Sequence, residues 1–523
     1  MKKILLVFIL ILISGFYSED NIRAQYQNVM ITNTGSPNEP AICINPKNTN
    51  QVVAGSNLNF YYYSTNSGLN WSKATLTSSY SVWGDPSITV DTAGNFYYGH
   101  LTNPMSSYFI DRIVVQKSTN GGINWSNGTY TGFIPPKQQD KEWLCVDPYN
   151  NNIYMSWTQF DSYGSSNPSD SSVILFSSST DAGETWSNAL RINKIAGNCV
   201  DEDNTTEGAV PCTGPNGEIY VSWSINDKIV FNKSTDGGVS WLPEETFVTS
   251  QPGGWDFAVS GIYRANGLPV TSCDLSNGPN RGTIYINWSD QRNGTTDTDV
   301  FMIKSTDGGN TWSDVKRVND DPSGRQQFFT WMTIDQTTGF VYFVFYDRRN
   351  YTTLQTDVFM AKSTDGGETF ENFKISASPF TPNSSVFFGD YTNITAANNK
   401  VRPIWARLDN TSLSIYTAIV DISTNINVLN SSVPSSFKLY ANYPNPFNPV
   451  TKIKFDVVNE QKGNVRLTIY DLEGKEISRL IDDNLESGTY EVEWDGSAFA
   501  SGTYFCKMES GNYTDTISLV LIK

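Results

Sequence analysis

An eight-residue pattern that recurs along the chain constrains the fold more than any other feature. Its fullest form is STDGGNTW at Ser305–Trp312, and successive copies start between 54 and 71 residues apart. Repeats at such a period are typical of propellers and solenoids. The six copies are Ser64–Trp71, Ser118–Trp125, Ser179–Trp186, Ser234–Trp241, Ser305–Trp312 and Ser363–Phe370.

Each position of the pattern has a physical reason. The residues before it, such as Val300–Lys304, alternate between apolar and polar and so predict a strand. The Asp accepts hydrogen bonds from turn amides, and the Gly at the fifth place adopts a positive φ without steric cost. The final Trp packs its ring against the sheet. The pattern therefore predicts a hairpin turn between two strands of one blade.

This pattern resembles the Asp-box, or bacterial neuraminidase repeat, of sialidase-like propellers. Asn66 and Asn120 replace the Asp in two copies and Phe370 replaces the Trp in another, which keeps an acceptor oxygen and a ring. The resemblance implies an all-β propeller with its boxes on the face opposite any active site. It does not identify the chemistry, because many proteins other than sialidases carry these boxes.

A second pattern, two strands joined by a short turn, predicts the number of blades. It occurs seven times in residues 25–425, one more than the box, at about 57 residues a unit, which suits a four-stranded blade. We therefore expect seven blades, with six, the usual number in sialidases, as the alternative. The pairs are Ala41–Ser56, Pro86–His100, Leu144–Trp157, Val210–Trp223, Val270–Trp288, Met332–Tyr346 and Tyr391–Trp405.

Both ends of the chain differ from the repeats. Lys2 and Lys3 precede the apolar run Leu5–Ile13, which has the length of a signal-peptide core and is too short to span a bilayer. We assign residues 1–24 to a signal peptide, and expect no transmembrane segment after its cleavage. Residues 426–436 are rich in Ser and Asn and are interpreted as a linker. Several short strands in residues 437–523 then predict an immunoglobulin-like β-sandwich.

The tail also resembles a known family. YPNPFNPVTKIKFDV at 443–457, VRLTIYDLEGKEISRL at 465–480, SGTYEVEWDG at 487–496 and the terminal LVLIK carry a similarity to the type A sorting domain of the type IX secretion system. The resemblance implies export across an outer membrane, contact with that secretion machinery, and a protein that is secreted or held at the outer cell surface.

The charge and the residue types of the chain limit the classes of ligand and partner that we expect it to bind. The net charge of −17 opposes binding to nucleic acid or anionic membranes. No metal-ligand spacing or phosphate loop occurs, so we expect no metal and no cofactor, and we expect a monomer. Cys43, Cys145 and Cys212 share a register typical of buried fillers, whereas Cys199 and Cys212 flank an acidic loop where a disulfide is an alternative.

Candidate site residues lie on the connections that enter the blades, because these share the face opposite the boxes. Aromatic rings beside carboxylates and Arg suit carbohydrate. We therefore expect a solvent-open, aromatic-lined depression of mixed charge, with rings that merely plug the axis as the alternative. The ligand-binding candidates are Asp140, Trp143, Trp255, Asp256, Arg264 and Trp331, and the weaker catalytic candidates are Asp85, Asp390 and Tyr391.

These sequence patterns are compatible with two functions. The sialidase resemblance implies an arginine triad that begins near the N-terminal strand, yet Tyr26–Pro46 contains no Arg. Arg292 and Arg349 follow Asp290 and Asp347 at matching places, which favours a repeated structural pair. We expect a protein that binds extracellular glycan or protein without chemistry. The alternative is a glycoside hydrolase, of the exo-α-sialidase type, or a lyase acting on extracellular polysaccharide.

Overall fold

The computed structural model describes residues 26–105, 107–322, 324–421, 427–430, 434–458, 464–485, 487–496 and 499–523. These residues form strands and turns and contain no helix. The predicted signal peptide, residues 1–24, lies outside them. In the part of the chain so described, no helix is long and apolar enough to cross a membrane.

Residues 27–421 form seven antiparallel sheets of four strands each, and the first strand along the chain is β1 (Gln27–Thr32). The first three blades are consecutive. Blade 1 contains β2 (Ala41–Ile44), β3 (Val52–Ser56), β4 (Phe60–Ser64) and β5 (Ser72–Thr75). Blade 2 contains β6 (Ser87–Val90), β7 (Phe96–Leu101), β8 (Ile113–Ser118) and β9 (Thr129–Thr131). Blade 3 contains β10 (Gln138–Val146), β11 (Ile153–Phe160), β12 (Ser172–Ser179) and β13 (Leu190–Arg191).

The next blades include one insertion. Blade 4 contains β14 (Glu207–Thr213), β15 (Ile219–Ile225), β16 (Lys228–Ser234) and β17 (Thr246–Ser250). A small hairpin, β18 (Asp256–Phe257) and β19 (Ala265–Asn266), then intervenes. Blade 5 contains β20 (Val270–Cys273), β21 (Ile284–Asp290), β22 (Asp299–Ser305) and β23 (Lys316–Arg317). Blade 6 contains β24 (Gln327–Asp335), β25 (Phe340–Asp347), β26 (Asp357–Ser363) and β27 (Glu371–Lys374).

The seventh blade closes the ring. It is built from β28 (Asn393–Ala397), β29 (Lys400–Asp409) and β30 (Ser412–Asp421), and β1 supplies its fourth strand by pairing with β30. Gln27 therefore lies opposite Ile419. Joining the two ends of the propeller in one sheet leaves only short strand edges exposed. The prediction of seven blades rather than six is confirmed.

The repeated turns have the predicted geometry. Ser305 Oγ donates to Asp307 Oδ1 at 2.8 Å, and the amides of Gly309 and Thr311 donate back to Ser305 Oγ and Asp307 Oδ1, each at 2.9 Å. The final ring, Trp312, packs edge-on against a ring of the preceding blade with centroids 5.2 Å apart. The six turns therefore connect third to fourth strands, and rings such as Trp312, Trp241 and Trp125 pack against the preceding blade.

The turns also define the two ends of the propeller. Because they connect third and fourth strands, they lie at the end where first strands finish. The opposite end, which we call the axial face, carries the starts of the first strands, the connections between blades and the loops between second and third strands. The inserted hairpin β18–β19 belongs to the axial face, since it connects blade 4 to blade 5.

The tail is a sandwich of two four-stranded antiparallel sheets, as predicted. One sheet has the order β31 (Asn427–Asn430), β36 (Gly488–Asp495), β33 (Val450–Val457) and β32 (Lys438–Leu439). The other has the order β35 (Glu476–Asn484), β34 (Asn464–Tyr470), β37 (Gly502–Ser510) and β38 (Tyr513–Leu521). Buried side chains such as Phe455, Leu467, Trp494 and Met508 fill the space between them.

Two expectations need correction. Asn427–Asn430 were assigned to the linker 426–436, but their backbone pairs with β36, so this stretch is part of the sandwich. This stretch lacks the alternation of aromatic residues seen in the other strands, so the sequence did not predict an edge strand there. The possible disulfide is absent, because Cys199 and Cys212 are both free thiols. Cys212 lies within β14, where the pKa of its thiol is raised by burial, which fits the alternative of a filler.

Candidate functional site

The first strands of several blades begin with the same backbone kink. Glu39, Asp85, Lys141 and Phe329 have φ values of 50°, 51°, 54° and 51°, a left-handed conformation that is uncommon for residues other than glycine. In blades 3 and 6 the kink coincides with a shift of strand register, as between Asp140 and Trp143. Such local strain tends to be retained where it places side chains for a purpose.

The kinks bring charged side chains from different blades together at the axis. Lys141 of blade 3 places Nζ 2.9 Å from Asp390 Oδ2, at the entry of blade 7, and 3.5 Å from Asp85 Oδ2, at the entry of blade 2. Arg264 of the inserted hairpin donates from Nε to Asp390 Oδ1 at 2.9 Å, and its Nη1 lies 3.3 Å from Asp201 Oδ2. Segments that enter blades 2, 3 and 7 can meet one another only at the centre of the ring.

We call this group the axial cluster. Besides the five side chains just described, it contains Asp140 and three more carboxyl groups that interact electrostatically with them, Glu39, Glu142 and Glu207.

The two cations of the cluster hold Asp390 ionised. Burial alone would raise the pKa of the Asp390 carboxyl, but Lys141 and Arg264 outweigh it and place that pKa well below its usual range. Burial likewise opposes the charge of Lys141, yet Asp390, Asp85 and Asp140 together raise the pKa of its ammonium group. Each charge is therefore stabilised by its neighbours.

Burial shifts four other carboxyl groups of the cluster towards the neutral form. Burial raises the pKa of Glu39, Glu142 and Glu207 well above the usual value for Glu. Within the described residues, the carboxyl oxygens of Glu142 and Glu207 have no hydrogen-bond partner, and a buried charge without partners would be costly. Asp140 is intermediate, because burial raises its pKa to about 7 while Lys141 opposes the shift.

Aromatic rings, some exposed and some half-buried, lie on two sides of the charged centre. On one side Trp83 contacts Phe109 with centroids 6.0 Å apart, and Phe109 contacts Tyr163 at 6.5 Å. Tyr163 Oη donates to Asp201 Oδ2 at 2.8 Å, which joins these rings to the axial cluster. We call the full set the aromatic rim, which consists of Trp83, Phe109, Tyr163, Tyr263 and Phe387.

The other side of the rim lies beyond Arg264. Tyr263 and Phe387 have ring centroids 5.9 Å apart, and the Arg264 guanidinium lies 5.4 Å from the Phe387 centroid. Trp83, Phe109 and Tyr263 are 37%, 40% and 60% exposed. The axial face thus presents rings on both sides of a charged centre.

The structure places four of the predicted site residues in one group. Asp85, Asp140, Arg264 and Asp390 all belong to the axial cluster. Asp256 begins the inserted hairpin and is exposed, and burial together with Asp203 and Asp201 raises the pKa of its carboxyl.

The other candidates are largely enclosed: Trp143, Trp255 and Tyr391 are buried, and Trp331 is half-buried. Trp143 packs against Trp331 and Tyr391, with ring centroids 4.5 and 5.1 Å apart, because the inner ends of the first strands converge there. The cavity beside them holds only about 20 Å³, the space of roughly one water molecule. Trp255 is buried beneath the hairpin, where its Nε1 donates to the Thr205 carbonyl at 3.3 Å. The rings of Trp143, Trp331 and Tyr391 pack together at the axis, which fits the alternative interpretation, whereas Trp255 lies under the hairpin.

Sequence reasoning missed several members of the site. Phe109 and Tyr163 lie on loops between second and third strands, and Asp201, Glu207 and Phe387 lie on or beside connections between blades. None has a counterpart in other repeats that would mark it. The one available signal was the length of the connections at residues 192–206 and 375–392, which carry Asp201 and Phe387 and are longer than any box turn.

Arg292 and Arg349 form the repeated pairs that were predicted. Arg292 Nε lies 2.9 Å from Asp290 Oδ1, and Arg349 Nε lies 2.8 Å from Asp347 Oδ2. Each guanidinium also covers a ring of its own blade at 4.3 Å, Phe301 and Phe359 respectively. The two blades repeat the arrangement, and neither Arg joins the axial cluster.

Comparison with protein families identifies the tail. Residues 441–523 match the model described as the secretion system C-terminal sorting domain. The tail is a sorting domain. It directs the protein out of the cell, to the surface or the surrounding medium, and implies contact with the secretion machinery.

Comparisons of the rest of the chain give distant similarities. A xyloglucanase from Acetivibrio thermocellus is 25% identical over 252 residues, which cover 45% of this chain and 27% of that protein. The match thus spans about a quarter of the length of this relative.

Solved structures of similar fold are more remote. An ulvan lyase has 12% identity and a TM-score of 0.47, covering 76% of this chain and 96% of its own. A Hadza microbial sialidase has 13% identity and a TM-score of 0.43, covering 71% and 73%. A protein of unknown function from Dyadobacter fermentans has 14% identity and a TM-score of 0.44, covering 76% and 99%. At these values the structures assign no activity.

Proposed function

We propose that the protein is an exported propeller that binds an extracellular glycan on its axial face. The observation that carries the proposal is the aromatic rim, whose exposed rings lie on both sides of hydrogen-bonding charged groups. Ring faces pack against the C–H surfaces of sugars, and carboxylates and guanidinium groups bond to hydroxyls. A few fixed polar groups between rings are what orient such a ligand.

The charges of the axial cluster favour a neutral glycan. Lys141 and Arg264 are both paired with Asp390, and Asp85 and Asp201 add further negative charge. An anionic sugar would find no uncommitted cation among these groups and would meet net repulsion. This argues against sialic acid as the ligand, since its carboxylate needs a free guanidinium.

A glycoside hydrolase or lyase is the second candidate, and the pKa values in the cluster favour it. Asp140, with a pKa raised to about 7 by burial, would be about half protonated at neutral pH, while Asp390 is held ionised. Pairs of carboxyl groups whose pKa values are pushed apart are typical of acid and base roles in glycosidases. In this case Asp140 would be the proton donor.

A glycan panel with two variants tests both candidates. We expect the purified protein to bind neutral oligosaccharides, with those of xyloglucan as the first probes because of the xyloglucanase similarity. Trp83→Ala should weaken binding about ten-fold or more, whereas Phe247→Ala, which removes an exposed ring from the outer strand of blade 4, should not. Binding only to anionic glycans, or none at all, would contradict the proposal.

Turnover separates the two candidates. Release of reducing ends, or of unsaturated products, by the wild type and its loss in Asp140→Asn would establish the enzyme. Unchanged oligosaccharides after prolonged incubation, with binding retained, would establish the binding protein.

A further inference from the structure

A groove lies on the axial face beside the aromatic rim. Its volume is about 540 Å³, within the range of small-molecule sites. It is bounded by the tip of the inserted hairpin at Gly261, the blade 6 loop at Leu354, the connection between blades 6 and 7 at Pro379–Ser384, and the blade 7 loop at Asp409 and Asn410. Each of these segments belongs to the axial face.

Two of its walls lead directly to the axial cluster. The inserted hairpin runs from Gly261 at the groove to Arg264, and these are three residues apart, so their Cα atoms are separated by at most about 11 Å. The connection between blades runs from Ser384 at the groove to Asp390. Tyr263 and Phe387, in ring contact with each other, lie between the groove and the cluster along both segments.

The side chains that line the groove suit a ligand with hydroxyl groups better than a charged ligand. Thr381, Asn383, Ser384 and Asn410 offer neutral donors and acceptors, and Leu354 and Pro379 add apolar surface. Its carboxylate, Asp409, is already paired with Arg407, whose Nε lies 2.7 Å from Asp409 Oδ2. A neutral sugar satisfies such a lining better than an ion does.

We propose that this groove is a second subsite for the same glycan, and that the ligand is a linear neutral oligosaccharide. One part of the chain lies at the axial cluster, the middle crosses the ring pair of Tyr263 and Phe387, and the remainder enters the groove. The inference rests on the proposed function, since it needs a glycan at the axial face. It adds that the ligand is an extended chain and not a single terminal sugar.

Calorimetry with oligosaccharides of increasing length tests this inference. The probes are cello-oligosaccharides of two to six units and the corresponding xyloglucan fragments. For the wild type, affinity should rise by about ten-fold or more between the shortest and the longest chain, as contacts in the groove are added. In Ser384→Trp, whose ring would fill the groove, the long chain should bind no better than the short one, and the short one should bind as before.

Two further variants make the result decisive. Val239→Trp adds the same ring at an exposed position of a box turn, on the opposite end of the propeller, and should keep the wild-type dependence on length. Thr381→Trp replaces Ser384→Trp if the latter lowers the melting temperature. An unchanged length dependence in the groove variants, or none in the wild type, would overturn the subsite while leaving glycan binding intact. Absence of all binding would instead refute the proposed function and the subsite with it.

Discussion

Arg264 and Asp390 form a two-point ion pair that ties the inserted hairpin to the entry of blade 7. Arg264 Nε donates to Asp390 Oδ1 at 2.9 Å, while Nη2 bonds to Oδ2. Lys141 reaches the same carboxylate from blade 3, and the Asn266 amide donates to the Asp390 carbonyl at 2.8 Å. One buried carboxylate thus links segments from three parts of the ring.

Removing the guanidinium should therefore affect stability as well as binding. Arg264→Ala leaves Asp390 with Lys141 as its remaining cation, and a buried charge that loses a partner costs about 1–3 kcal/mol. Denaturant unfolding should show a loss in that range. Arg264→Lys keeps the positive charge but not the two-point pair, so its free energy of unfolding should decrease less. An alanine variant with wild-type unfolding would show that the pair contributes nothing to the fold.

Burial of Asp140 should make the stability of the protein decrease between about pH 4 and about pH 7. Asp140 has a folded-state pKa raised to about 7 by burial, against 3.8 for the ordinary group. The folded protein therefore keeps a proton that the unfolded chain releases near pH 4. The contribution of Asp140 to the free energy of unfolding is fully present below that pH and is lost as the pH rises towards 7. The limiting slope of this loss is about 1.4 kcal/mol per pH unit.

Asp140→Asn isolates this contribution. Its amide cannot titrate, so the free energy of unfolding should depend less on pH between 5 and 8 than in the wild type. Glu39, Glu142 and Glu207, whose pKa values are also raised by burial, act in the same direction and should leave a residual slope. An equal pH dependence of the free energy of unfolding in Asp140→Asn and in the wild type would contradict the raised pKa of Asp140.

The propeller could be predicted from the sequence because its repeats are local. A box such as Ser305–Trp312 contains the whole hydrogen-bonded turn, and each strand pair is contiguous along the chain. The blade count followed from these, as did the structural role of Arg349, because Arg292 repeats it. When the interactions that form a hairpin all lie within one stretch of the chain, that stretch of sequence is enough to predict the hairpin.

The site could be predicted only in part, since its members converge from separate connections. Asp85 and Asp390 were found because they stand beside strand starts. Tyr163 and Asp201 were not, because a loop of blade 3 and the connection to blade 4 meet only in three dimensions. Trp143 was misjudged for a related reason, since sequence does not show how closely the inner strand ends approach at the axis.

The repeated Asp–Arg pairs should stabilise blades and leave ligand binding alone. Arg349→Ala would leave the buried Asp347 carboxylate, whose pKa is already raised to about 6 by burial, without its guanidinium. We expect a loss of about 1–3 kcal/mol in the free energy of unfolding, with unchanged glycan affinity. Lys228→Ala, which removes an exposed cation, is the control. Intact stability with abolished binding would place Arg349 in the site.

The sorting tail should be needed for delivery and not for the propeller. Because Asn427–Asn430 pair with β36, we expect a chain that ends after Asp421 to be a cleaner truncation than one that ends at Ser436, which would carry an unpaired strand. Cell fractionation should find the shorter chain folded and retained in the periplasm. Its appearance at the surface at the level of the full-length protein would show that delivery does not require the sandwich.

The most direct test of the central claim is a crystal structure of the protein with a bound neutral oligosaccharide. We predict sugar rings stacked on Trp83 and Phe109 on one side of Arg264, or on Tyr263 and Phe387 on the other, with hydroxyls bonded to the axial cluster. Sugar bound at the box turns or on the sandwich, with an empty axial face, would contradict it.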